Sequence, residues 1–379
     1  MNSKTILTAL GLVLALTACN DIVDYNDGYT PADQVANEGA PVIEAVYDVQ
    51  DTACTTPITE GRLGQMVTIV GKNLNYVQRI AFNTVECDLK EAYTQSNRAI
   101  VRIPATLSME QNNAIEYTTD RGTTSFGFVI PFPALTISGL ENEFAWAGDS
   151  VTIYGENFDL YGFDSGTSKV SINGTAIGVG SITSSSMKAA IPSGTPDNSE
   201  IVVSWTATDG AKTATLPFRP TSLLLFGNYA GVQINKDGSI QHAIEEVEGL
   251  TAIHVTGSYS AWAWNTLDLS CNMIDGVSVD SPDNYVLKFE VLNATNFPLT
   301  DDTGLQFSFN WGAAYAWSPA DGQGINTFGQ WKTVTLPLAA MATNGIKQPG
   351  EWQAMRIIFQ PHAAYTADYA ITNFRIVKK

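Results

Sequence analysis

One segment of this chain occurs twice. Gly64-Gln-Met-Val67-Thr-Ile69-Val-Gly71-Lys-Asn73-Leu74 returns as Gly148-Asp-Ser-Val151-Thr-Ile153-Tyr-Gly155-Glu-Asn157-Phe158, at a constant offset of 84 residues. A second pair follows: Ala99-Ile-Val-Arg-Ile103-Pro104 is echoed by Lys188-Ala-Ala-Ile191-Pro192 at an offset of 88, which puts extra loop around Tyr161 to Thr167 in the later copy. Such a repeat constrains the fold more than composition does, because each copy must be one structural unit. Val67 and Ile69 alternate with Thr68 and Val70, the period of a half-buried strand. Gly71 and Gly155 read as turn positions ahead of Asn-Leu and Asn-Phe. Each copy opens on a proline, Pro41 or Pro133, and closes on a turn, Asp120 to Gly122 or Asp209-Gly210. Two small β-sandwiches are expected, over 41–132 and 133–220.

The repeated segment resembles the hallmark of the immunoglobulin-like IPT/TIG domain, G-x-x-V-T-I-x-G-x-N-F/L. The resemblance implies a spacer or an interaction scaffold. Gly148-Asp149-Ser150 also matches the start of an esterase motif with a serine nucleophile, but the same slot in the first copy is Gly64-Gln65-Met66. A structural position accounts for both copies, and catalysis for neither. Asp51-Thr52-Ala53 and Asp149-Ser150-Val151 resemble the short O-glycosylation sequon of Bacteroidetes.

The amino terminus reads as an export signal over 1–18. Lys4 precedes the apolar run Ile6 to Leu16, which is shorter than the roughly 20 residues a membrane helix requires. It ends in Leu16-Thr17-Ala18-Cys19. This resembles the lipobox of bacterial lipoproteins, and implies cleavage before Cys19 and acylation of its sulfur. The plainer alternative is a secretory signal with a chance cysteine. An acylated Cys19 would hold the protein to a membrane. Residues 19–40 are polar and aperiodic, as expected of a tether, and their acidic start resembles the surface-export signal of Bacteroidetes lipoproteins. The implied location is the outer membrane, facing the exterior. Cys54 and Cys87 either pair or stay as separate buried thiols, and Cys271 is left over as a small hydrophobe.

From Leu223 onward the chain is again strand-rich, and six of its eight tryptophans lie there. Expected strands cover 252–256, 266–269, 285–292, 305–311, 331–338, 354–360 and 370–377, with one or two helical turns over 242–250. Many strands separated by Gly, Pro, Asn and Asp indicate a sandwich or jelly roll over 221–379. Gly329-Gln-Trp331-Lys-Thr-Val334-Thr-Leu336-Pro-Leu338 and Tyr369-Ala-Ile371-Thr-Asn-Phe374-Arg-Ile376 resemble recurring strands of carbohydrate-binding jelly rolls. In order, lipobox, paired TIG-like units and this last domain resemble the surface glycan-binding proteins of Bacteroidetes polysaccharide-utilisation systems. That resemblance implies an all-β, non-catalytic protein that captures a polysaccharide or oligosaccharide beside an outer-membrane glycan transporter.

Strand parity sorts the aromatics. Ile253, Val255, Leu267 and Leu269 share the apolar face, while Trp262 and Trp264 have the opposite parity. Two indoles pointing out of a core together either stack on sugar rings or cap the end of the sandwich. Leu305, Phe307, Phe309 and Trp311 share one face, so Trp311 is expected in the core and Asn310 as a hydrogen-bonding group. Tyr315 and Trp317 fall in a Gly/Ala/Pro-rich loop and are expected to bind ligand; Trp331 and Trp352 are read as structural. Arg356 and Gln360 share a polar parity, read first as a solvated face.

The expected carbohydrate site is therefore Trp262, Trp264, Trp317, Tyr315 and Asn310, with an extended β-glucan or hemicellulose as best-suited ligand. The alternative is a structural or adhesive surface lipoprotein that binds a protein. A net charge of −18 repels nucleic acid. No cofactor or metal is expected: His242, His254 and His362 are scattered, and no weight is placed on Asp301-Asp302 as a calcium pair. No pair of carboxylates lies embedded in aromatic sequence as a glycosidase requires.

Overall fold

The computed structural model describes residues 36–106, 111–275, 277–294 and 296–379. The expected signal, Cys19 and most of the tether lie outside these residues. The chain forms two compact units, divided between Pro133 and Ala134.

The first unit is a sandwich of two four-stranded antiparallel sheets around Val46, Val67, Ile69, Ile80, Phe82, Ile115 and Tyr117. Its repeated motif is explained residue by residue. Val67 and Ile69 are fully buried in the strand Met66–Lys72. Gly71 is part of that strand rather than a turn: a Cβ there would lie 1.9 Å from the Val42 carbonyl oxygen, beside a register shift between Ile43 and Ala45. Asn73 makes the turn instead. It takes the left-handed backbone (φ 56), which Asn tolerates, and donates Nδ2 to the Ala40 carbonyl at 3.1 Å. Leu74 then drops into the core. Cys54 and Cys87 are both free thiols, and burial pushes Cys87 up to about 12.

In the second unit the motif recurs with the same geometry. A Cβ on Gly155 would lie 2.0 Å from the Thr136 carbonyl oxygen, Asn157 has φ 68 and donates to the Ala134 carbonyl at 2.8 Å, and Phe158 is buried. Two four-stranded sheets make this immunoglobulin-like sandwich. The strands Ser199–Ala207 and Gly210–Phe218 form its longest hairpin.

Next comes a larger sandwich of two five-stranded antiparallel sheets. One holds Gln233–Asp237, Asn265–Asn272, Trp352–Phe359, Leu305–Phe309 and Tyr315–Ala316; the other holds Gln241–Val247, Leu250–Tyr259, Tyr365–Lys378, Tyr285–Asn293 and Lys332–Pro337. Each expected strand has a counterpart, whereas the expected helical turns over 242–250 are the edge strand Gln241–Val247. Pairing with Leu250–Tyr259 through a tight turn decides that segment. Phe289, Phe307, Phe359, Phe374 and Tyr369 fill the space between the sheets.

These two sandwiches are joined through a buried charge cluster. Glu143, from the immunoglobulin-like sandwich, accepts from Arg375 Nη2 at 2.7 Å and from Lys288. Arg375 also forks onto Glu290, both contacts at 2.9 Å, and Thr333 donates to the same carboxylate. Glu143, Glu290 and Arg375 are at most 1% exposed. Burial opposes the guanidinium charge, but Glu290 and Glu143 outweigh it and hold Arg375 above its ordinary pKa. Phe144 lies under the guanidinium at 5.1 Å and packs with Leu250, Leu292 and Trp331.

Candidate functional site

The turn between Leu250–Tyr259 and Asn265–Asn272 carries Trp262 and Trp264, which are 62% and 47% exposed. Exposure was expected from strand alternation, but neither residue lies in a strand. Trp262 has φ 64, a conformation rare for a bulky side chain, so alternation does not run through it. Neighbours fix the turn. The buried Asn265 side chain donates to the carbonyls of Ala263 (3.0 Å) and Phe359 (3.2 Å). Gly238 lets the Trp264 carbonyl approach, since a Cβ there would lie 2.2 Å from it. The Trp262 N–H donates to the Pro361 carbonyl at 2.6 Å.

A third ring completes the arrangement. His362 stacks on Trp262 with centroids 4.8 Å apart and planes inclined by 25°. The His362 N–H donates to the Asp302 carbonyl at 2.8 Å, and Gly304 allows the 360–361 backbone to pass close by. Three segments, 260–265, 301–306 and 360–364, are thus knitted into one corner of the domain. Beside it is a depression of ≈ 230 Å³, lined by His362, Gln306, Asp301, Ser318 and the edge of Trp317. A half-exposed indole on a locked turn next to amide, hydroxyl and carboxylate groups suits a sugar: the ring's apolar face stacks and its hydroxyls find partners.

The other expected site residues are placed differently. Trp317 is buried (7% exposed), because the short hairpin that pairs Gln306 with Ala316 returns the loop to the core. It packs against Phe289 at 5.5 Å and Phe307 at 6.4 Å, and offers only an edge to two surface depressions. Tyr315 is half-buried against the same core. Asn310 is engaged by the protein: Nδ2 donates to the Gly345 carbonyl at 2.9 Å, and Oδ1 accepts from Gln353 and Ala354. Trp311, expected in the core, is 60% exposed, because Asn310 (φ 49) and Trp311 (φ 57) both turn left-handed after Phe309. Trp331 is structural, its Nε1 donating to the Val247 and Glu248 carbonyls. Trp352 is 45% exposed. Sequence reasoning missed His362 as the partner of Trp262, and also the exposed Phe328. A turn signal, Asn310 before Gly312, marks where alternation fails at Trp311.

Two features narrow the chemistry. Glu290, the carboxyl whose proton affinity burial raises, is sealed under Arg375 and Thr333, away from this corner. Trp146 is half-exposed at the junction, but Arg219 covers one ring face at 4.6 Å and Gly249 abuts the ring.

Residues 197–378 match the family model described as the surface glycan-binding protein B xyloglucan binding domain, and residues 135–219 match the IPT/TIG domain. That match places the carboxy-terminal domain in the surface glycan-binding protein B xyloglucan-binding domain family. Among solved structures of that family, the surface glycan-binding protein PbSGBP-B from Prevotella bryantii is 18% identical, with a TM-score of 0.55 over 90% of this chain and 99% of that one. Its likeness extends to the fold. A surface glycan-binding protein B from a complex xyloglucan utilization locus in Bacteroides uniformis is also 18% identical, at a TM-score of 0.45 over 90% of this chain and 100% of that one. An IPT/TIG domain-containing protein of Bacteroides ovatus is 23% identical over 128 residues, which is 32% of this chain and 26% of that relative. The alignment thus spans about a quarter of that relative's length. The chain shares the all-β architecture of the Prevotella bryantii protein.

Proposed function

We propose that this protein captures a β-glucan or hemicellulose, xyloglucan first among them, at the cell surface, without catalysis. Trp262 and Trp264 are the stacking residues in this reading. The carrying observation is the locked turn that presents both indoles to solvent inside the domain that matches the xyloglucan-binding family model. A large exposed apolar group held against backbone preference points to a ligand. The absence of chemistry rests on Glu290 being sealed away from the aromatic corner. The domains at 41–132 and 133–220 serve as spacers for a binding domain at 221–379. An acylated Cys19 anchors the protein in the outer membrane, facing outward, beside a glycan transporter.

Affinity electrophoresis and calorimetry against xyloglucan, mixed-linkage glucan, xylan and mannan test the reading. Each stacking contact contributes on the order of 1 kcal/mol beyond area burial, so Trp262→Ala should weaken binding about tenfold. The melting temperature should not change. Retention by none of these glycans, or a Trp262→Ala/Trp264→Ala variant that binds like wild type, would sink the proposal. Release of shorter products from a bound glycan would show catalysis. Palmitate labelling of wild type but not of Cys19→Ser tests the anchor.

A further inference from the structure

The sheet that ends at Trp262 and Trp264 carries a second pair of exposed tryptophans at its other end. Trp352 begins the strand Trp352–Phe359 and is 45% exposed; Trp311 follows the neighbouring strand Leu305–Phe309 and is 60% exposed. The Asn310 N–H donates to the Ala354 carbonyl at 3.0 Å, which sets Trp311 beside the start of Trp352's strand. In the other direction that strand runs to Phe359, which is paired with Asn265 at the corner where Trp262 stacks on His362. Seven residue steps at ~3.3 Å separate the two ends by ~23 Å.

Trp311, like Trp262, is an exposed indole in the left-handed region, and its turn is braced. The Asn310 side chain is tied to Gly345, Gln353 and Ala354, Asn344 donates to the Asn310 carbonyl, and Thr343 accepts from the Ala313 N–H. Backbone strain that persists under such bracing is a sign of function when it displays a large apolar group to water. Trp352 has the parity of Arg356, opposite to the core-facing Met355, Ile357 and Phe359. Between the two ends, the outward positions carry the small, buried Ala354 and Ser270, then the partly exposed Arg356–Asp268 pair at 2.6 and 2.8 Å. Next comes Gln306, which lines the depression at His362.

We propose that Trp311 and Trp352 form a second stacking station for the same polysaccharide chain, which lies along this face from the Trp262 corner. This rests on the glycan-binding role of Trp262 and Trp264 proposed above, and adds that the protein selects long, internal stretches of chain. Exposed indoles at both ends of one strand, ~23 Å apart, fit an extended β-linked backbone, and the partly exposed Arg356–Asp268 pair between them offers donors and acceptors to hydroxyls.

Calorimetry with cellotetraose and with polymeric xyloglucan tests it, using wild type and a Trp311→Asn/Trp352→Thr variant. Asn suits the left-handed position and Thr the strand, and melting curves of each single variant check folding. Wild type should prefer the polymer. The double variant should lose about tenfold affinity for the polymer, keep its affinity for cellotetraose, and so lose its preference for length. A double variant with unchanged polymer affinity overturns the second station alone, as does an equal loss on both ligands. If wild type binds neither ligand nor any other glycan, the preceding reading fails and takes this one with it.

Discussion

Ahead of the shared Gly-x-x-Val-Thr-Ile motif, the first sandwich reads Thr59-Glu60-Gly61-Arg62, and the second reads Glu143-Phe144-Ala145-Trp146 at the same positions. In the first copy this loop closes its own sandwich. The Gly61 N–H donates to the Val129 carbonyl and the Val129 N–H to that of Thr59, both at 2.9 Å, while a Cβ on Gly61 would press on Ile103 at 2.6 Å. In the second copy the loop reaches into the glycan-binding domain. Glu143 completes the charge cluster of Arg375 and Lys288, and Phe144 fills the apolar contact with Leu250 and Trp331. The difference teaches that a few loop residues suffice to make one copy a docking element while both keep the same motif.

Exchanging those residues breaks the comparison most directly. Glu143→Thr gives the second copy the residue of the first and leaves Arg375 short of a carboxylate inside protein. Removing one partner of a buried pair costs about 3–5 kcal/mol, so urea unfolding followed by tryptophan fluorescence should show the second unit melting earlier. The reverse exchange, Thr59→Glu, lies outside any such cluster and should stay within about 0.5 kcal/mol. Equal effects in the two copies would mean that the junction has no special energetic role.

The glycines test what the copies share. Gly71→Ala and Gly155→Ala each force a methyl against a carbonyl oxygen, and each should destabilise its own sandwich by about 1–3 kcal/mol. A loss confined to one copy would show that the motif does different work in each.

The smallest effect sharpens the contrast between buried and exposed charge. When protonated, His254 donates from Nδ1 to Glu245 at 2.5 Å and from Nε2 to Asp368 at 2.8 Å, near the surface of the last domain. Partial burial opposes its protonation, but the two carboxylates outweigh this and raise its pKa above 6.5. The stabilisation is therefore fully present below about pH 6.5 and is lost as pH rises through the raised value. Melting temperatures of wild type and His254→Gln should differ more at about pH 5 than at about pH 8, and less in high salt. An equal gap at both pH values would refute the charge-based account.

Most of the strand pattern was legible in the sequence, and the candidate site only partly so. Val67, Ile69, Ile253, Leu267 and Phe307 all face the core as their alternation requires. Parity fails where the backbone turns left-handed. Counting from Leu305 points Trp311 inward, yet two successive positive φ values turn it out. The Gly, Ala and Pro around Trp317 point it outward, yet pairing of Tyr315 with Phe307 carries it back under Phe289. Trp262 is exposed as alternation expects, but its left-handed backbone, not alternation, turns it out.

The sequence by itself determined the repeat, the all-β class and most strand faces, because these follow from local rules: alternation of side chains, Gly where backbones touch, Asn where the chain turns left-handed. Only the tertiary structure decided which indoles meet solvent and how the last two domains are joined. Exposure depends on which strand lies over a given loop. The junction depends on Glu143, 232 residues away from Arg375 along the chain, arriving within 2.7 Å of it. No periodicity records such a meeting, since a buried charge reveals its partner only when both are already out of water.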